Sequence, residues 1–153
     1  RQHPRDWFDV GLLLDSGRLD ETLWRTFLVY LAVSPRPAAE MLAPGEPVDF
    51  AEVFDRQFRG MSAEPVTVEA LLQSRSRMIE RIPQLMDASA RDFLLSLERE
   101  APDFALIGLP QASELPGVRR KLQNMARRSD SKRDTDYRQL VDTLERMARQ
   151  GNA

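Results

Sequence analysis

Arg5, Asp6 and Asp9, in the string Arg-Asp-Trp-Phe-Asp, are the residues whose types and spacing are best suited to chemistry. In a helix, Asp6 and Asp9 lie three apart on one side, and Arg5 lies four residues before Asp9. Two carboxylates so placed can touch a divalent cation or orient a lysine. They supply only part of the oxygen shell that Mg²⁺ takes, so water, phosphate or another segment must provide the rest. The same residues also read as helix chemistry alone. Asp6 then caps the positive helix end and Asp9 is tied to Arg5. Asp134 and Asp136, the other close acidic pair of interest, read as capping residues of a late helix.

A second candidate is electrostatic. Residues 1–113 hold 12 basic and 18 acidic side chains, whereas residues 114–153 hold 10 and 6. Between Arg119 and Arg133, seven cations (Arg119, Arg120, Lys121, Arg127, Arg128, Lys132, Arg133) face only Asp130. Such a stretch can hold phosphates, with Arg119, Arg120, Lys121, Arg127 and Arg128 as the nucleic-acid-binding candidates. It can equally be a solvated helix face, because no aromatic residue is interleaved for base stacking.

The remaining composition narrows the classes. With no cysteine there is no disulfide, thiol nucleophile or thiolate zinc site. One histidine, His3, rules out a two-imidazole site, and it is expected to lie in a frayed first segment without a specific role. No full set of metal ligands is assigned. No apolar run approaches the ~20 residues that span a bilayer, and no export signal is legible, so a cytoplasmic protein with no membrane association is expected.

The elements that must position these residues read as helices. Pro4 suits a first turn, and apolar residues at 7, 8, 10, 12, 13 and 14 suggest a first helix buried on most of its circumference. Leu23, Trp24, Phe27, Leu28 and Leu31 stripe a second helix, expected to pair with the first as a hairpin. Asp49 is expected to cap a helix bearing Phe50, Phe54 and Phe58, widened by Val53 and Met61 and stopped at Gly60. Thr67 caps the next, with Val68, Leu71, Leu72, Ile79 and Ile82 on one face until Pro83 breaks it. Asp87 or Ser89 starts another. Residues 102–110 form a short apolar run read as extended and covered by helices. Leu115–Arg128 and a terminal helix over 129–153 complete the chain. The expected fold is all-α, one domain over 1–153, an irregular bundle of six to seven helices with that one extended segment.

Several of these strings occur in a telling order: Arg-Asp-Trp-Phe-Asp-Val-Gly-Leu-Leu-Leu (5–14), Phe-Arg-Gly-Met (58–61), Phe-Leu-Leu-Ser-Leu-Glu (93–98), Pro-Asp-Phe-Ala-Leu-Ile-Gly-Leu (102–109) and Leu-Pro-Gly-Val-Arg-Arg-Lys-Leu-Gln-Asn (115–124). Together they resemble the carboxyl-terminal part of the AbiEii/AbiGii toxin family of bacterial nucleotidyltransferases, within the DNA polymerase β-like superfamily. The resemblance extends to about Arg128. It implies a toxin of a toxin–antitoxin pair in phage defence, using Mg²⁺ and a nucleoside triphosphate, with the acceptor end of transfer RNA as one substrate in the family. It implies that Asp6 and Asp9 are active-site carboxylates and Arg5 their charge partner. The family's Gly-Ser motif followed by paired aspartates is missing from this sequence. The expectation is therefore a carboxyl-terminal helical region that packs on an absent amino-terminal catalytic domain and is inactive alone, with an antitoxin and tRNA or other RNA as partners. The alternative is a stand-alone helical module that binds protein or nucleic acid without catalysis.

Overall fold

The computed structural model describes residues 2–151. Among them run eight α-helices: α1 (Pro4–Asp15), α2 (Glu21–Val33), α3 (Ala38–Leu42), α4 (Phe50–Gln57), α5 (Val68–Leu85), α6 (Ala88–Glu98), α7 (Pro116–Met125) and α8 (Asp130–Gly151). Two 3-10 turns, Phe104–Ile107 and Pro110–Glu114, lie between α6 and α7, and no strand forms among the described residues. The chain is thus an all-α, irregular helical assembly. It gathers into two compact units, Arg1–Asp20 with Gly45–Arg81, and Glu21–Pro44 with Ile82–Ala153, a division that the single-domain reading had not drawn.

In the first unit, Phe50, Phe54 and Phe58 recur every four residues along α4 and its end, and are buried with Leu71 of α5. Trp7 and Phe8 of α1 pack against them, with the Phe8 and Phe58 rings 5.5 Å apart and tilted, the offset geometry that aromatic pairs prefer. Only Pro4 and Gly11 of α1 are fully buried, and Leu12 is 56% exposed, so the helix covers the core with one side rather than sinking into it. Met61 is likewise outside the phenylalanine stripe, at 70% exposure, because the helix has already ended at Gln57. Asp49 precedes α4 with a left-handed φ of 53° and makes no side-chain cap. Thr67 does cap α5, its Oγ1 accepting from Ala70 N at 3.2 Å.

The second unit has its own interior of Leu28, Leu31, Leu42, Phe93, Leu94, Leu97, Ile107, Val118, Met125, Leu140 and Leu144. Here α2 packs on α7, and α8 packs on α3 and α6. The expected α1–α2 hairpin does not describe these helices: α1 packs on α4 in one unit, and α2 belongs to the other. Asp87 caps α6, accepting from Ala90 N at 2.7 Å. Pro83 does not break α5, which continues to Leu85. A proline's fixed φ is compatible with a helix, at the expense of one backbone hydrogen bond. The apolar run read as extended is instead a 3-10 turn that buries Phe104 and Ile107 and ends at Gly108, whose φ of 70° suits glycine. Asp103 starts the turn by accepting from Ala105 N, a local bond that six residues of pattern do not reveal.

Candidate functional site

The start of α1 is built by a reciprocal cap. His3 Nδ1 accepts from Arg5 N at 3.1 Å, and Asp6 Oδ2 accepts from His3 N at 3.2 Å. With Nδ1 accepting, Nε2 carries the proton and donates to Gln57 Oε1 at 3.0 Å. His3 therefore has a defined role, capping α1 and tying it to the end of α4, in place of the frayed segment expected. Four of the first amides of a helix lack intrahelical partners, which is why a side-chain acceptor at this position matters.

Arg5, Asp6 and Asp9 are all exposed. The expected Arg5–Asp9 ion pair does not form, and neither residue's side chain has a hydrogen bond or ion pair among the described residues. Solvent screens two such groups, so little holds them together. Asp6 faces its own cap, and Asp9 faces solvent. Two carboxylates could supply only part of a magnesium shell. Among the described residues, no group of three or more His, Asp or Glu is arranged to hold an ion, so these two carboxylates have no further ligand of that kind placed beside them there.

The basic stretch is divided by its surroundings. Lys121 is buried, and its Nζ donates to the carbonyl oxygens of Leu31 (3.0 Å), Ser34 (2.7 Å) and Arg36 (2.9 Å). It closes the carboxyl end of α2, where orphan carbonyls attract a cation. Burial lowers its pKa to about 8 against the opposing pull of Glu98, with Arg128 adding to the lowering. Arg128 bridges Glu98 Oε1 (3.1 Å) and Asp136 Oδ2 (3.0 Å), and Lys132 reaches Asp136 Oδ1 at 2.7 Å. Arg133 Nε stands 3.1 Å from Glu100 Oε1, an ion pair without hydrogen-bond alignment. Lys121 and Arg128, named from sequence as nucleic-acid contacts, are thus engaged inside the protein. Arg119, Arg120 and Arg127 remain exposed and without a charge partner among the described residues.

Asp136 is also a correction: it lies inside α8, 2% exposed, and holds two cations instead of capping. Burial raises the pKa of Glu98 despite the neighbouring Arg128 and Lys121. Two residues of this kind escaped the sequence reading. Glu98 ends the apolar stripe of α6 that carries Phe93, Leu94 and Leu97. Arg75 stands in the α5 stripe, between Leu71 and Ile79, and is 6% exposed. A charged residue at an apolar position in a helical stripe was the available signal for both.

Comparison with known proteins adds identity to this geometry. No curated protein and no solved structure matches the chain. The family model described as nucleotidyl transferase AbiEii toxin, Type IV toxin–antitoxin system, matches residues 1–142. That match runs through α1 and on beyond Arg128 into α8, so it takes in both charged regions and most of the terminal helix. With nearly its whole length covered, the chain belongs to the AbiEii family of nucleotidyltransferase-type toxins of toxin–antitoxin systems.

Proposed function

We propose that this chain is the helical carboxyl-terminal region of its nucleotidyltransferase toxin, supplying the Arg5-Asp6-x-x-Asp9 turn to an active site completed by an amino-terminal catalytic domain. The observation that carries this reading is the state of Asp9, exposed and unpaired on an ordered helix, beside Asp6 in its cap. A carboxylate left without an internal partner on a braced backbone is available to a ligand. Magnesium and a nucleoside triphosphate would come with the catalytic domain, since transfer of a nucleotidyl group depends chiefly on metals and cations placed around the phosphates. The sequence holds no Gly-Ser followed by paired aspartates, which supports a chain that transfers nothing alone. Arg119, Arg120 and Arg127 would contact the RNA acceptor, and the antitoxin would be the protein partner. The setting is a bacterial cytoplasm, in phage defence.

The test is magnesium-dependent transfer of a labelled nucleotide to RNA by the complete natural gene product, with the 153-residue chain in parallel. The complete product is expected to label RNA and the isolated chain to be inert. Asp6→Asn and Asp9→Asn in the complete product should each lower the rate by about a hundredfold or more, because the isosteric amide loses the charge that acts at the reacting centre. Their melting temperatures should not move, because Asn at position 6 still offers His3 N an acceptor. Replacing Arg119, Arg120 and Arg127 by Gln should reduce the salt slope of RNA binding by about 2, at ~0.7 per phosphate contact on a single strand. Transfer by the isolated chain, or full activity in both aspartate variants, would overturn the reading.

A further inference from the structure

Arg75 lies in mid-helix on α5 and is almost fully buried, and its guanidinium reaches Gln2, Gly45 and Glu46, all outside α5. Its Nε donates to Gln2 Oε1 at 2.9 Å, Nη2 to Gly45 O at 3.0 Å and Nη1 to Glu46 Oε1 at 3.2 Å. Gln2 closes the ring by donating from Nε2 to Gly45 O at 2.6 Å. One guanidinium therefore ties the segment entering α1 and the loop before α4 to the same point of α5. Two residues after Gln2, α1 begins. His3 is held independently by Gln57, and further along α1 a Cβ added at Gly11 would stand 2.6 Å from Ser74 Oγ, next to Arg75 in sequence.

A buried guanidinium is not needed for packing, since an apolar residue in the α5 stripe would fill the space without removing a charge from water. What it adds is direction: a planar fork with three nitrogens on three partners, which a lysine ammonium cannot reproduce. We propose that Arg75 is a positioning residue for the Arg5-Asp6-x-x-Asp9 turn. It fixes the entry of α1 so that two carboxylates with no tertiary partner of their own still meet the reacting nucleotide at one distance and angle. The proposal rests on the reading of Asp6 and Asp9 as active-site carboxylates.

Its test uses the complete gene product, with Arg75→Lys as the main variant and Gln2→Ala as a milder cut of the same tie. Hydrogen exchange read by mass spectrometry should accelerate about tenfold or more in the first turn of α1, the scale expected when hydrogen bonds to a charged group are lost. Exchange in α6 and α8 should not change. Nucleotide transfer should fall in Arg75→Lys, and should fall no further when Arg75→Lys is added to the Asp6→Asn/Asp9→Asn double variant, because it acts through those two carboxylates. Unchanged exchange in α1 for both variants would overturn the clamp. A loss of transfer that multiplies with that of the Asp6→Asn/Asp9→Asn double variant would assign Arg75 a merely structural role and overturn the positioning claim. Full activity in both Asp6→Asn and Asp9→Asn would instead remove the reading beneath the proposal, an outcome separable because exchange reports on the clamp without reference to transfer.

Discussion

At the start of α1, three charged side chains stand in solvent with a braced backbone beneath them. Around α6, α7 and α8, the charges of Lys121, Glu98, Arg128 and Asp136 are drawn inside and satisfied by one another or by carbonyls. The first region keeps its carboxylates available, while the second converts charge into structure. Local charge density is therefore a poor guide to which group meets a ligand. The seven-cation stretch, the denser of the two, leaves only Arg119, Arg120 and Arg127 unpaired and exposed among the described residues. The sparse cluster at α1 leaves Asp9 wholly free of described partners.

The sharpest way to break this contrast is Asp136→Ala. Removing one acceptor leaves the half-buried Arg128 with Glu98 alone, and the loss should be roughly 3 kcal/mol in chemical denaturation, at the low end for a broken buried pair because Arg128 keeps that partner and Lys132 stays hydrated. Asp9→Asn, its counterpart on α1, should change stability by less than about 0.5 kcal/mol. Equal effects from the two would erase the distinction.

Lys121→Met should cost about 2 kcal/mol by leaving the α2 carbonyls without their donor. Its pH signature is more diagnostic. The folded pKa of about 8 lies below the ordinary value of 10.5, so between these values the unfolded chain binds the proton and the folded chain does not. Stability from this group therefore rises as pH climbs through that window and is lost as pH falls through about 8. Denaturation midpoints across pH 7–10.5 should show that rise in the parent protein and lose it in Lys121→Met. A flat parent profile would mean that the ammonium remains charged in the folded state throughout.

A smaller loss than at Lys121 is expected for His3→Ala, about 1 kcal/mol, the usual worth of a helix cap. Amide exchange should place the damage in the first turn of α1. A loss spread over the whole chain would show that the cap supports more than its own helix.

Much of the helical pattern was legible because it follows from short-range rules. The Phe50–Phe54–Phe58 spacing, the caps at Thr67 and Asp87 and the stripe of α2 all depend on residues within a turn or two of each other. Several of the errors lie where the tertiary setting decides. Asp136 looked like a cap until Arg128 and Lys132 claimed it. His3 looked idle because Gln57, its second partner, is 54 residues away. The run around Phe104 looked extended because its burial against Phe93, with ring centres 5.1 Å apart, is a tertiary fact. At the candidate site, Arg5, Asp6 and Asp9 were visible from spacing. Arg75, bonded to Gln2 and Glu46 at 73 and 29 residues' distance along the chain, was not singled out.

The sequence by itself determined the all-helical character, the family and the carboxylates worth mutating, since periodicity, capping residues and ordered motifs are properties of the chain read in one dimension. Only the tertiary structure decided which charges are free. Availability depends on desolvation and on partners far along the chain, and neither is encoded in the count or spacing of the charged residues themselves.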